Sequence, residues 1–102
     1  MRVGTDIIRI SRIENSIKSN HFLESVYTKK ELEYCKKAEN FAGLFAAKEA
    51  YLKALGVGID RRLNTIEILH DDLGNPYING VDNSDVSISH DGDYAIAVVI
   101  LC

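Results

Sequence analysis

Residues 45–56 read FAAKEAYLKALG. Alanine, leucine and lysine are good helix formers, and Gly56 is a natural C-terminal stop. The pattern extends upstream and predicts a long helix from about Asn40 to Leu55. With residues ~100° apart on the helix, Phe41, Leu44, Phe45, Leu52 and Leu55 share one apolar stripe. Lys48 falls in the middle of that stripe, and Glu49 and Lys53 lie at its edge. A lysine so placed either snorkels to water or meets an anion. Glu49 and Lys53 form an i,i+4 pair in the favourable order, worth ~0.2–0.5 kcal/mol as a plain surface pair.

Upstream of this helix, RVGTDII begins as a short strand with β-branched Ile7 and Ile8. SRIENSIKS reads as a helix, with Ser11 as N-cap, Glu14 closing a capping box, and Ile10, Ile13 and Ile17 as its stripe. TKKELEYCKKA repeats the device with Thr28 and Glu31, and turns Leu32 and Cys35 inward. Downstream, Gly58 marks a tight connection. TIEIL alternates as a strand, DDLGN is a hairpin turn, PYI returns, and DVSIS alternates again. HDGD turns at Gly92, which tolerates positive φ. YAIAVVIL is the longest apolar run and fits a strand covered on both faces. One strand, then helices, then strands predict an α+β fold with a largely antiparallel sheet. No linker or repeat divides the chain, so residues 1–102 are read as a single domain.

The bulk numbers exclude several classes. A chain of 102 residues buries one thin core, for which self-association is a natural supplement. Net charge is −3, which gives no global basic field for nucleic acid. Basic residues nevertheless pair locally, as Arg9 and Arg12, Lys29 and Lys30, Lys36 and Lys37, Arg61 and Arg62. No apolar run approaches the ~20 residues of a membrane span, and MRVGTDIIRI lacks the apolar core of a signal peptide. Cys35 and Cys102 lack metal-ligand spacing and read as reduced thiols of a cytoplasmic protein.

Asp6 stands among isoleucines, where a carboxylate is costly unless paired. It is either a capping or turn residue or part of a site. His90 ends a strand in SISHDG beside Ser87 and Ser89; it can cap the turn, act as acid or base, or meet a phosphate. Together these residues describe more than each alone. Asp6 and Glu49 could share a hard cation, since magnesium takes one or two protein carboxylates and completes its shell with water and phosphate oxygens. Lys48, Lys53 and His90 would add positive charge around the phosphates. No glycine-rich phosphate loop occurs.

VGTDIIRISRIE, FAGLFAAKEAYLKALGVGI, LGNPYI and VSISHDGDYAIAVVI occur in an order and spacing that resembles the short bacterial holo-acyl-carrier-protein synthases. These belong to the 4'-phosphopantetheinyl transferase superfamily. The resemblance implies that superfamily's fold, as a single half-unit of the longer duplicated transferases, with the long helix packed against the sheet. It implies magnesium-dependent transfer of 4'-phosphopantetheine from coenzyme A to a serine of apo acyl carrier protein, releasing adenosine 3',5'-bisphosphate. A silent module that binds carrier or coenzyme A is the alternative. Asp6 and Glu49 match metal-binding carboxylates, and Glu49, directly or through a water, takes the serine proton. Lys53 matches the lysine on the pyrophosphate. Lys48, Ser89 and His90 match positions near the phosphates of coenzyme A. Arg12 and Arg9, read as lying on the first helix, would dock the carrier's acidic helix. The resemblance also implies homotrimers with active sites between subunits. Leu44 and Asn75 depart from the pattern, standing where many relatives carry arginine and lysine; Arg61 or Arg62 are candidates to replace the lost phosphate contact.

Overall fold

The structure is a computed structural model that describes residues 1–57 and 63–102. Gly58, Arg61 and Arg62, singled out above, lie outside the described residues. The order is β1 (Arg2–Arg9), α1 (Ile10–Ser16), α2 (Asn20–Val26), α3 (Lys29–Tyr34), α4 (Ala38–Leu55), a 3-10 turn (Leu63–Thr65), β2 (Ile68–His70), β3 (Pro76–Ile78), β4 (Ser84–Asp91) and β5 (Tyr94–Leu101). The architecture is α+β. β5 lies between β1 and β4 in an antiparallel sheet, and among the described residues β2 pairs only with β3, as a separate hairpin. Among the described residues, no helix is long and apolar enough to cross a membrane.

The long helix is buried on two sides rather than along one stripe. Ala42, Ala46, Ala50 and Ala54 recur every fourth residue and are fully buried. They form the side that packs on β1 and β5, which answer with Gly4, Ala95, Ala97 and Val99. Small residues on both surfaces bring helix and sheet close together. The approach is tightest at Gly4, where a Cβ would lie 1.9 Å from the Ala50 carbonyl oxygen. Leu44, Lys48 and Leu52 form a second buried line. Leu55, expected on the apolar stripe, is 42% exposed. Gly56 ends the helix in the left-handed region at φ 78°.

Three local expectations change. Ser11 is not the cap of α1; that position is Arg9, which makes no side-chain cap bond. The helix start is instead satisfied from the β4–β5 turn: Asp93 accepts from the Ser11 amide at 2.9 Å and from the Ser11 hydroxyl at 2.7 Å. Its backbone carbonyl accepts from the Ile10 amide at 2.7 Å. α2 was not foreseen, although Ser19 caps it by accepting from the Phe22 amide. β5 is covered on one face only. Ala95, Ala97 and Val99 point at α4, whereas Tyr94 and Ile96 are 44% and 41% exposed. Val3 and Ile7 on β1 extend that open face and are 64% and 62% exposed. The α3 capping box forms as read, with Thr28 and Glu31 exchanging bonds.

Candidate active site

Strand alternation puts Gly4, Asp6 and Ile8 on the helix side of β1. Glu49 and Lys53 follow one another by one turn at the edge of α4. The Lys53 ammonium lies 3.1 Å from Asp6 Oδ1, and Asp6 is largely buried. Asp6 and Glu49 line one cleft with Ile7, Ile8, Arg12 and Phe45. The structure therefore brings Asp6 of β1 and Arg12 of the adjoining α1 together with Glu49 and Lys53 of α4, some forty residues on in sequence.

The electrostatics of this cleft follow from its shape. Burial pushes the Glu49 carboxyl above the usual carboxylate range, and the neighbouring Asp6 charge pushes it further; Lys53 and Arg12 oppose both. Two carboxylates thus share a half-buried space with too little compensation, and an added cation would relieve them. One consequence is measurable. In the metal-free protein, Asp6→Asn moves the Glu49 titration midpoint down, part of the way to the ordinary glutamate value, because burial remains. Carbon-detected NMR of the Glu49 carboxyl reads it, and an unmoved midpoint would show that Asp6 does not act on Glu49.

Lys48 does not join this cluster. Its side chain and that of Glu31 are both 0% exposed and form an ion pair inside the protein. The ammonium also donates to the Val26 carbonyl and, at 3.1 Å, to the Leu63 carbonyl. It meets an anion, as its place on the stripe allowed, but the anion is Glu31. The expectation that Lys48 faces a phosphate gives way, because every proton of the ammonium is directed into the core.

His90 lies in a second cleft, where its Nε2 is 2.7 Å from Glu39 Oε2. Tyr34, Leu44, His70 and Pro76 also line it. Tyr34 and His70 stack with centroids 3.9 Å apart and rings 10° from parallel. Burial holds the His70 imidazole below its usual pKa. Glu39 escaped the sequence reading, since an acidic residue in a first helical turn is ordinary dipole complement. Ser89 alternates to the other face of β4 and lines a shallow depression with Tyr94 and Ile96. Arg9 ends β1 rather than lying on the first helix, and its guanidinium sits 5.8 Å from the Tyr94 ring centroid. The two departures also have places. Leu44 is buried at the cleft wall, and Asn75 closes the hairpin turn on Asp71, its amide donating at 2.9 Å.

The sequence and the fold have known counterparts. The model of the 4'-phosphopantetheinyl transferase superfamily matches residues 2–99. The holo-[acyl-carrier-protein] synthase of Fusobacterium nucleatum is 42% identical over 117 residues, covering 97% of this chain and 96% of that protein. The Clostridium botulinum protein of the same name is 43% identical over 116 residues, covering 97% and 94%. Among solved structures, Helicobacter pylori holo-[acyl-carrier-protein] synthase in complex with coenzyme A superposes with TM-score 0.89 at 37% identity, covering 98% of this chain and 99% of that one. The Bacillus anthracis synthase in complex with coenzyme A (3',5'-ADP) gives 0.82 at 36% identity, covering 96% and 92%. By full-length similarity in both sequence and fold, the chain belongs to the holo-[acyl-carrier-protein] synthases, enzymes of the 4'-phosphopantetheinyl transferase superfamily.

Proposed function

We propose that this enzyme transfers the 4'-phosphopantetheine arm of coenzyme A to a serine of apo acyl carrier protein, with magnesium, and releases adenosine 3',5'-bisphosphate. The observation that carries the reading is the convergence of Asp6 and Glu49 in one cleft, with Lys53 paired to Asp6 beside it. Two adjacent, under-compensated carboxylates suit a magnesium site, which needs no more protein ligands than these. Magnesium bound there supplies charge neutralisation at the pyrophosphate.

The chain's own groups do the rest. The carrier serine oxygen attacks the β-phosphorus, forming the new P–O bond as the bond to the bridging oxygen breaks. Glu49 accepts the serine proton, a task suited to a carboxylate whose pKa lies above the ordinary range. Lys53 turns from Asp6 to the departing phosphate and stabilises or protonates it. His90 and Glu39 border the second cleft at the start of α4. Glu39 and Glu49 are ten residues apart on one helix, about 15 Å at the helical rise. An extended donor can lie along this distance, nucleotide near His90 and pyrophosphate near Glu49.

Arg12 borders the same cleft from α1 and meets the carrier's acidic helix, with Arg9 nearby. Arg12→Ala raises the half-saturating carrier concentration several-fold and leaves kcat nearly unchanged; an unchanged half-point would remove Arg12 from the docking surface. The open apolar face of Val3, Ile7 and Ile96 supports a homotrimer, and the place of Ile7 both on that face and in the Asp6 cleft supports a site near a subunit boundary. Ile96→Asp leaves single chains in sedimentation where the unaltered protein gives three. Two free cysteines agree with a cytoplasmic setting.

Chromatography of the nucleotide products tests the reaction. Adenosine 3',5'-bisphosphate appears only with coenzyme A, apo carrier and magnesium all present, and stops on chelation. Carrier and coenzyme A that bind without nucleotide release, across several carriers, would leave a binding module instead.

A further inference from the structure

The β2–β3 hairpin is not hydrogen-bonded into the three-stranded sheet. It nevertheless supplies one wall of the His90 cleft, through His70, Gly74 and Pro76. Glu39 and Leu44 on α4 supply the facing wall. Something other than sheet pairing must fix the two walls relative to each other.

The buried Lys48–Glu31 pair is placed to do so. Lys48 belongs to α4 and lies one turn beyond Leu44 on the same line of the helix. Its ammonium donates to Glu31 on α3, to the Val26 carbonyl at the end of α2, and to the Leu63 carbonyl. Glu31 Oε2 then accepts from the amide of Ile68, the first residue of β2, at 2.8 Å. Two residues further along β2 stands His70. It stacks on Tyr34, which ends α3 three residues beyond Glu31. The chain of contacts runs from one wall of the cleft to the other without a break.

A buried ion pair is a poor source of net stability, because desolvation of the two charges offsets their attraction. Its hydrogen bonds are directional, however, and fix orientation where apolar packing alone tolerates sliding. We propose that Lys48, acting through Glu31, is a positioning residue that sets the width of the His90 cleft and so the affinity for the nucleotide end of coenzyme A. This rests on the reading of the cleft given under the proposed function. It replaces a direct phosphate contact by Lys48 with an indirect one.

The experiment uses the double variant Lys48→Met, Glu31→Leu, which removes both charges together and leaves neither stranded. Thermal melting by circular dichroism establishes that it folds. Steady-state kinetics then vary coenzyme A and carrier separately, and calorimetry measures adenosine 3',5'-bisphosphate binding. KM for coenzyme A and the nucleotide Kd rise roughly tenfold, the low end of the effect of removing a supporting contact behind a site. The half-saturating carrier concentration stays put, and kcat changes little. A folded double variant with unaltered KM and Kd would reduce the pair to a structural role. Glu31→Gln is the second variant, since its single side-chain oxygen cannot accept from Lys48 on one side and Ile68 on the other, which breaks the tie at one end or the other; it raises KM in the same sense, and an unchanged KM would contradict the proposal even if the double variant fails to fold. Amide exchange at Ile68 and His70, faster in either variant, reads the tie without any ligand, and unchanged exchange would refute it. An unaltered protein that binds no coenzyme A would defeat the cleft's reading, a result separate from the exchange measurement.

Discussion

Glu49→Gln lowers kcat by roughly 10²–10⁴-fold, the range for removing a positioned general base, and leaves the protein folded. The glutamine keeps the shape of the side chain at the edge of α4, where Glu49 is only part-buried. It removes the proton acceptor and one of the two carboxylates of the cleft. Folding does not suffer, because Glu49 and Asp6 disfavour each other's charge. The melting temperature therefore stays level or rises slightly. Product release under saturating substrates measures the first effect, and circular dichroism the second. A variant that turns over at the unaltered rate would take Glu49 out of the chemistry. The pH dependence has the same origin: the base works only when ionised, so activity climbs with pH as Glu49 ionises; burial and Asp6 hold that midpoint above the usual glutamate range in the metal-free protein, and bound magnesium would bring it down.

Gly4→Ala produces the largest loss of stability. The added Cβ would lie 1.9 Å from the Ala50 carbonyl oxygen and 2.6 Å from the Ala54 amide nitrogen. Both neighbours are backbone atoms in the last two turns of α4, so no rotamer change relieves the overlap. Strand and helix must separate, along a seam where alanines line both surfaces. Overpacking in a tight core costs about 1–3 kcal/mol and sometimes more, and this contact belongs at or above the top of that range. Small domains carry only about 5–15 kcal/mol in total. Urea denaturation then shows a much lower midpoint, and any folded fraction has poor turnover, because Asp6 lies two residues along the same face of β1. An unaltered midpoint would mean that the helix does not sit on Gly4 as closely as described.

Much of the fold was legible because its signals are local. Thr28 with Glu31, the turn around Asp71–Asn75, Gly92, and the long alanine-rich helix each declare themselves within a few residues. What escaped depends on distant partners. The start of α1 is satisfied by Asp93, 82 residues from Ser11 in sequence, and no local pattern contains it. An apolar strand such as YAIAVVIL reads alike whether its second face meets this chain or another copy, and here α4 covers only one face. Lys48 illustrates the limit most clearly. Helical spacing correctly put it inside the apolar stripe, yet spacing along one helix cannot name an anion on another. Glu31 had already been used as a capping-box residue, yet its Oε1 accepts from both the Thr28 amide and Lys48, which leaves Oε2 for the Ile68 amide. The Asp6, Glu49 and Lys53 cluster was legible as a constellation. The His90–Glu39 contact was not, because each partner alone has an ordinary structural explanation.

The central claim is that this chain itself builds a covalent bond between the phosphopantetheine arm and a carrier serine. Intact-mass spectrometry tests it most directly, on apo acyl carrier protein incubated with the enzyme, coenzyme A and magnesium. The carrier is expected to gain the mass of one phosphopantetheine arm, on a single serine, and Glu49→Gln enzyme to leave the carrier's mass unchanged over the same time. A carrier of unchanged mass with the unaltered enzyme, across several apo carriers, would contradict it.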